Sequence, residues 1–137
     1  MKILVIDGQG GRIGRLLVEG IKKTCPDADI IAVGTNSIAT SAMMKGGADQ
    51  AATGENSVIV CTRDADVIVG PVGIAIADSL LGEITPAMAL AVGQSSAVKL
   101  LIPVSKCNNR IVGADEMTLS SLIDKTVKTI SDIKQRN

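Results

Sequence analysis

The fold is decided by the stretch MKILVIDGQGGRIGRLLVEGI, residues 1–21. Residues 3–6 form a continuous aliphatic run, which is typical of a central parallel strand buried on both faces. A glycine-rich loop follows, and apolar residues then recur at helical spacing over 13–21, which predicts an amphipathic helix. A second aliphatic run at 30–33 adds another strand, so the start of the chain predicts a right-handed βαβ unit.

The rest of the chain continues this alternation of helices and strands. The residues SVIVCT at 57–62 also fit a strand by their β-branched content, but the alternation favours a helix there. The further predicted elements are helices over 37–45, 55–64 and 86–94, strands over 48–53, 66–69, 100–104 and 111–113, and a last helix from about 119. We therefore predict one domain over residues 1–137, an α/β three-layer sandwich with a mostly parallel, Rossmann-like, doubly wound sheet.

Composition excludes several classes of function. Lys and Arg together number 14, as do Asp and Glu, so the chain has no net charge. It therefore lacks the excess of basic residues with which proteins bind nucleic acid independently of sequence. The absence of Phe, Trp, Tyr and His excludes aromatic stacking platforms, Ser-His-Asp triads and His-ligated metals. Three cysteines without a CxxC spacing predict reduced thiols and a cytoplasmic location. No apolar stretch approaches the roughly 20 residues of a membrane span, so we expect no membrane partner.

The glycine loop is the first candidate for a binding site. Its spacing is G-x-x-G-x-x-G, and it lies between a strand and a helix, where free helix N–H groups bind phosphates. The sequence GGRIGRLLVEG resembles the phosphate loop of the extended short-chain dehydrogenase/reductase class and of dihydrodipicolinate reductase, which implies NAD or NADP as cofactor. The predicted cofactor-binding residues of the loop are Gly8, Gln9, Gly10, Gly11, Arg12 and Gly14.

Three features depart from a typical dinucleotide site. The second strand ends in Gly34-Thr35-Asn36, where an acid normally accepts a hydrogen bond from the adenosine ribose. The dehydrogenase class protonates its substrate with a Tyr–Lys pair, and this chain has no Tyr. Asp7 also repels a phosphate by about 1 kcal/mol at ~4 Å in water-like surroundings. We therefore consider three roles for Asp7: it pairs with Arg12 or Arg15, it caps the helix, or it holds Mg²⁺ that carries a phosphorylated ligand.

The ends of the other strands supply further binding candidates. The carboxyl ends of parallel strands share one edge of the sheet, where small and polar residues gather around a ligand. Thr35 and Asn36 are predicted to face a ribose, and Gly70, Pro71 and Gly73 to line the far side. Polar turns at 53–56 and 105–109 would surround the same crevice, although each also fits an ordinary turn.

Reactive side chains are fewer. Cys107 follows Lys106 in a polar loop, which favours a thiolate, although an idle cysteine fits better. Asp78 and Glu83 lie in a mostly apolar segment, where paired carboxylates bind metal or exchange protons, but five residues apart they need not meet. No catalytic residue and no metal site is assigned from these patterns. The apolar helix over 86–92 fits the core or a subunit interface, and we expect a homo-oligomer.

Five motifs spread over the chain resemble one protein family. They are IDGQGGRIG, GTNSIATSAMMKGGA, ATGEN, GPVGIAIADSLLGEITPAMA and CNNRIVG. The family consists of short, mostly clostridial bacterial proteins known only as a domain of unknown function. The resemblance covers essentially the whole chain and implies a single small domain, with no catalytic residues to carry over.

The sequence thus predicts a small cytoplasmic nucleotide-binding protein. NAD or NADP is the first candidate ligand, and the protein is expected to act as a sensor or a subunit rather than a complete oxidoreductase. One alternative is a Mg²⁺-dependent enzyme that acts on a small phosphorylated metabolite through Asp7. The other is a structural oligomer without a ligand, whose glycines only form a turn.

Overall fold

A computed structural model describes residues 1–104, 108–114 and 117–137. Its strands are β1 (Lys2–Asp7), β2 (Asp29–Gly34), β3 (Gln50–Thr53), β4 (Val67–Pro71) and β5 (Val98–Ile102). Its helices are α1 (Arg12–Thr24), α2 (Ser37–Lys45), α3 (Glu55–Cys61), α4 (Pro86–Gln94) and α5 (Leu119–Arg136), with a 3-10 helix at Val72–Ala75. The five strands form one sheet in the order β3-β2-β1-β4-β5, and each neighbouring pair is parallel.

Helices cover both faces of this sheet. Ile3 and Val5 of β1 belong to a core with side chains of α1, α2 and α5, whereas Leu4 and Ile6 belong to a second core with α3 and α4. Side chains alternate between the faces of a strand, so the aliphatic run of β1 fills both cores at once. The predicted three-layer, doubly wound α/β class is confirmed.

The helix ends follow local capping chemistry. The side chain of Thr85 accepts the N–H of Met88 and caps α4, as its place before a proline predicts. The cap of α2 is Asn36, whose Oδ1 accepts the N–H of Ala39 at 2.9 Å, so the prediction of Ser37 as this cap was wrong by one residue. Residues 57–61 lie in α3, which confirms the helix favoured for that stretch.

The predicted sixth strand at 111–113 was wrong. These residues form a turn, in which Gly113 has a φ of +89° and the N–H of Ala114 donates to the carbonyl of Ile111 at 3.2 Å. The side chain of Val112 is 99% exposed. Two aliphatic residues are too few to distinguish an edge strand from an exposed turn, and the adjacent glycine supplies the left-handed backbone that the turn needs.

The strand order creates a switch point between β1 and β4. The chain leaves β1 toward β2 on one side, and after β3 it crosses to β4 on the other side. In open α/β sheets, ligands bind in the crevice outside the carboxyl ends of the strands at such a point. Within the described ranges, no helix is both long and apolar enough to cross a membrane.

Candidate functional site

The glycine loop lies at this switch point, between the end of β1 and the start of α1. A small cavity of about 90 Å³ opens there. It is lined by Asp7, Gly8, Gln9, Gly10, Gly11, Arg12, Ile13, Pro71, Leu80 and Val104. The structure therefore brings the predicted loop residues together with Pro71 of β4, whereas Gly14 lies behind them, inside α1.

Asp7 fixes the shape of the loop. Its Oδ1 accepts the N–H of Gly8 at 2.8 Å, and its Oδ2 accepts the N–H of Gly14, the third residue of α1, at 2.7 Å. The residue is only 5% exposed. Of the roles left open by the sequence, this geometry supports a cap supplied by the preceding strand, which the helix dipole also favours. Arg15 instead pairs with Glu19 at 2.8 Å.

Three of the four loop glycines have internal reasons for lacking a side chain. A Cβ on Gly8 would lie 2.7 Å from Oγ1 of Thr35, and a Cβ on Gly14 would lie 2.5 Å from Sδ of Met43. Gly11 has a φ of +72°, and its Cβ would meet the backbone of α2 at 2.7 Å. The packing of β1, α1 and α2 accounts for these positions without any ligand.

Gly10 has no such reason. Beyond its chain neighbours, no described residue has an atom within 4 Å of a Cβ placed there, and the φ of Gly10 is not in the left-handed range. Next to it, the N–H groups of Gly10, Arg12 and Ile13 make no hydrogen bond within residues 1–104, 108–114 and 117–137, whereas the N–H of Gly11 donates to the carbonyl of Gly8. Free N–H groups at a helix N-terminus suit an anion, and the absence of a side chain at Gly10 leaves room for its approach.

Glu83 stands beside the loop, at the end of β2. Its Oε1 accepts three hydrogen bonds, from the N–H of Gln9 at 3.0 Å, Oγ1 of Thr35 at 2.7 Å and Nδ2 of Asn36 at 2.6 Å. Burial raises the pKa of Glu83, but these hydrogen bonds outweigh burial and bring the pKa below its ordinary value. Its Oε2 accepts no hydrogen bond from the part of the chain that the structure describes. A charged carboxylate thus occupies the place predicted for a ribose.

Glu83 belongs to a segment that we call the covering loop, residues 76–85, which connects the 3-10 helix to α4. Leu80 of this loop is buried, and its Cδ1 would lie 2.9 Å from a Cβ on Gly8. Leu80 and Glu83 together cover Gly8, Thr35 and the start of the glycine loop. Asp78 is exposed, so the structure does not form the paired carboxylate site considered from the sequence.

The remaining candidates are placed as follows. Gly70 packs against the carbonyl of Ile6, and the hydroxyl of Ser79 donates to the carbonyl of Gly73, so both glycines serve the packing of β4 and the covering loop. The prediction for Cys107, with Ser105 and Lys106, lies outside the described residues.

Cys61 is a further cysteine candidate. Burial raises the pKa of its thiol, which disfavours its thiolate. The described residues contain no group of three or more His, Cys, Asp or Glu that could hold a metal ion.

A larger groove of about 500 Å³ lies between α3 and α4, and none of the predicted site residues lines it. Its apolar rim includes Leu90, which is 57% exposed, while Met88 and Val92 of the same helix are buried in the core. Helix α4 therefore contributes to the core and still presents an apolar side chain. The homo-oligomer expected from this helix stays a prediction.

The sequence matches one protein family over residues 2–135. The chain belongs to the family described as a domain of unknown function, DUF3842. No curated protein matches it. Among solved structures, it is similar to the dodecameric FMN-dependent UbiX-like decarboxylase from Escherichia coli O157:H7, with a TM-score of 0.45 and 13% identity over 96% of this chain and 94% of that one. The FMN and the dodecamer are properties of that protein.

For this family member, the sequence interpretation missed the role of Glu83. It placed Thr35 and Asn36 at the ribose and noted that β2 lacks an acid, but it did not connect the two observations. A strand end with two side-chain donors and no carboxylate was the available signal. The acceptor comes from the covering loop, 48 residues after Thr35.

Proposed function

We propose that this protein binds a nucleotide at the glycine loop, with NAD or NADP as the first candidates. The observation that carries the proposal is the set of N–H groups at Gly10, Arg12 and Ile13, which find no acceptor in the part of the chain that the structure describes, beside a glycine with no packing role among those residues. A diphosphate needs several donors and a close approach of backbone, and this end of α1 offers both. The exposed Arg12 side chain can add a charged hydrogen bond to a phosphate.

The rest of the ligand would extend toward the end of β2. Thr35 and Asn36 carry hydrogen-bond donors that suit ribose hydroxyls, and Pro71 borders the loop from β4. Gly70 and Gly73, predicted on the far side, would act through the close packing that they permit. Residues 1–137 would then form a single nucleotide-binding domain.

A sensor or a subunit fits this site better than a complete oxidoreductase. The sequence contains no Tyr or His, the residues that most often transfer protons beside a nicotinamide. The carboxylate of Asp7 is engaged by main-chain N–H groups, which favours a structural role over a catalytic one. We therefore propose that the protein responds to whether its nucleotide is bound, and that it does not turn the nucleotide over.

Calorimetry tests the proposal with a panel of NAD(H), NADP(H), AMP, ADP and FMN, each with and without Mg²⁺. Gly10→Ala should weaken binding of the active ligand at least tenfold, because a methyl group would stand between the N–H groups and the phosphate. Its melting temperature should stay that of the wild type, because among residues 1–104, 108–114 and 117–137 the new Cβ meets no atom within 4 Å beyond its chain neighbours.

Gly93→Ala in α4 is the matched control, since a Cβ there also meets no atom of the described residues within 4 Å apart from the neighbouring helix backbone. It should bind the nucleotide with wild-type affinity. The proposal fails if no nucleotide binds at millimolar concentration, or if Gly10→Ala binds as tightly as Gly93→Ala.

A further inference from the structure

We propose that the covering loop is a lid that closes the nucleotide site when no ligand is bound. We call Glu83 its catch, because the hydrogen bonds of this side chain hold the loop closed. This inference rests on the proposed function, because it concerns regulation of the same site. It follows from four separate features of the covering loop: what its carboxylate binds, what its leucine covers, how much space it leaves and how its backbone is strained.

The catch uses the donors that a nucleotide would need. Oε1 of Glu83 takes the N–H of Gln9 and the side-chain donors of Thr35 and Asn36, all within 3.0 Å. These three groups are neutral donors at the edge of the glycine loop. A ribose hydroxyl or a phosphate oxygen can accept from them only after the carboxylate has moved. A phosphate close to Glu83 is also repelled by its charge.

The closed loop leaves too little space for the ligand. The cavity beside the glycine loop measures about 90 Å³, whereas sites for ligands of this size hold several hundred. Leu80 forms one wall of the cavity and lies against Gly8. Moving Leu80 and Glu83 away would join this cavity to the end of β2, where the ribose is predicted.

The backbone of the covering loop is strained in the closed form. Asp78, Leu80 and Leu81 have φ values of +65°, +56° and +57°, a region that side-chain-bearing residues rarely adopt. Leu81 is 89% exposed, so packing of its own side chain does not hold this conformation. Strain of this kind persists only where the surroundings impose it, and it is often part of a switch.

The C-terminal end of the covering loop is well fixed, which confines the motion. Ile84 is fully buried in the core with α4, and its N–H donates to the carbonyl of Ser79. The N–H of Asp78 donates in turn to the carbonyl of Ile84 at 2.7 Å. The loop therefore holds its own shape around an anchored end, and opening it requires release of Glu83, of Leu80 and of the hydrogen bond from Ser79 to Gly73, while α4 stays in place.

Methyl NMR can follow the lid directly through the nuclear Overhauser effect (NOE) between the Leu80 δ-methyl and the α-protons of Gly8. We expect this NOE in the free wild-type protein and its loss when the nucleotide saturates the site. In Glu83→Ala the NOE should be lost without any nucleotide. Affinity should then rise about tenfold, as expected if one wild-type molecule in ten is open.

Glu55→Gln is the control, because Glu55 accepts a hydrogen bond from Thr85 at 2.6 Å, at the end of the covering loop, and does not contact the glycine loop. It should keep both the NOE and the wild-type affinity. Glu83→Gln retains an uncharged acceptor, so its NOE intensity and its nucleotide affinity should lie between those of the wild type and of Glu83→Ala. It replaces Glu83→Ala in the experiment if that variant does not fold.

The outcomes separate the lid from the proposed function. Binding with an unchanged NOE overturns the lid, and so does weaker binding by Glu83→Ala, since Glu83 would then be a ligand contact. If no nucleotide binds the wild type or Glu83→Ala, the proposed function fails. In that case loss of the NOE in Glu83→Ala still supports the catch, and its persistence overturns the lid as well.

Discussion

Oδ2 of Asp7 accepts the N–H of Gly14 at 2.7 Å, which joins the last residue of β1 to the third residue of α1 across the glycine loop. Oδ1 of the same carboxylate holds the N–H of Gly8. Two main-chain donors at the two ends of the loop thus converge on one buried side chain. This arrangement makes Asp7 part of the loop's structure. The N–H groups of Gly10, Arg12 and Ile13 have no acceptor among the described residues, and we propose that they bind the ligand.

Asp7→Asn should destabilise the protein. An asparagine amide offers one acceptor oxygen and one NH₂ group, so one of the two N–H groups would face a donor inside the fold. Loss of a buried hydrogen bond of this kind costs about 1–3 kcal/mol in the free energy of unfolding. Calorimetric melting should show a decrease of several degrees.

Asp78→Asn is the matched control for this substitution. Asp78 is exposed, and its φ of +65° suits asparagine as well as aspartate, so its melting temperature should not change. If Asp7→Asn has the same melting temperature as Asp78→Asn, the carboxylate of Asp7 does not fix the loop. Any remaining folded Asp7→Asn should bind a nucleotide at least as well as the wild type, because one negative charge has been removed beside the phosphate.

Gly14→Ala should also destabilise the protein, by about 1–3 kcal/mol, as overpacking of a filled core does. The new Cβ would lie 2.5 Å from Sδ of Met43 and 2.8 Å from Cβ of Asp7. Both neighbours are buried, and Asp7 is held by its hydrogen bonds, so neither can move away cheaply. Thermal melting measures the loss.

Gly93→Ala provides the opposite expectation for the same chemical change. Gly93 is exposed within α4 and open around its Cα, so alanine should stabilise the helix by about 0.5–1 kcal/mol. Equal melting temperatures for Gly14→Ala and Gly93→Ala would contradict the packing described for Gly14.

The sheet and most helices could be predicted because their signals are local. The aliphatic run of β1, the amphipathic period of α1 and the Thr85-Pro86 start of α4 each lie within a few residues of the element that they specify. The turn at 111–113 shows the limit of such signals, since Ile111 and Val112 have the pattern of a short strand but belong to a turn.

The candidate site could be predicted only in part. The loop and the end of β2 were placed correctly beside each other, because the carboxyl ends of parallel strands share one edge of a sheet. Glu83 is 74 residues from Gln9 and 47 residues from Asn36, and its approach depends on the path of the covering loop. The sequence pattern does not reveal that path, because it follows from four consecutive or nearly consecutive positive-φ residues (Asp78, Leu80, Leu81 and Gly82) and from the burial of Leu80.

Leu81→Asn should stabilise the closed form. The left-handed conformation at residue 81 costs a leucine about 1–2 kcal/mol, and asparagine tolerates it better. Little packing is lost, because the leucine side chain is largely exposed. We expect a rise of about 2–4 °C in melting temperature. Leu90→Asn, at another exposed leucine but in ordinary helical backbone, should instead lower the melting temperature slightly. A rise in both variants would mean that replacing an exposed leucine with a polar side chain stabilises the protein by itself, without relief of backbone strain.

The stability of the covering loop should fall in acid because of Glu83. Hydrogen bonds from Gln9, Thr35 and Asn36 overcome the opposing effect of burial and lower the pKa of Glu83 in the folded protein. A carboxyl whose pKa is lower folded than unfolded stabilises the fold fully above its unfolded pKa, about 4.3 for glutamate. That contribution is lost as the pH falls from there through the folded pKa.

Carbon-13 NMR of the Glu83 carboxyl group measures this pKa directly. Thr35→Val removes one of the three donors, so it should raise the pKa of Glu83 relative to the wild type. In parallel, Glu83→Gln should lose less stability than the wild type between about pH 5 and pH 3, since it has no carboxylate to protonate at this position. A carboxyl that titrates at or above its ordinary value in the wild type would mean that the three donors do not hold it charged, and the catch would lose its electrostatic basis.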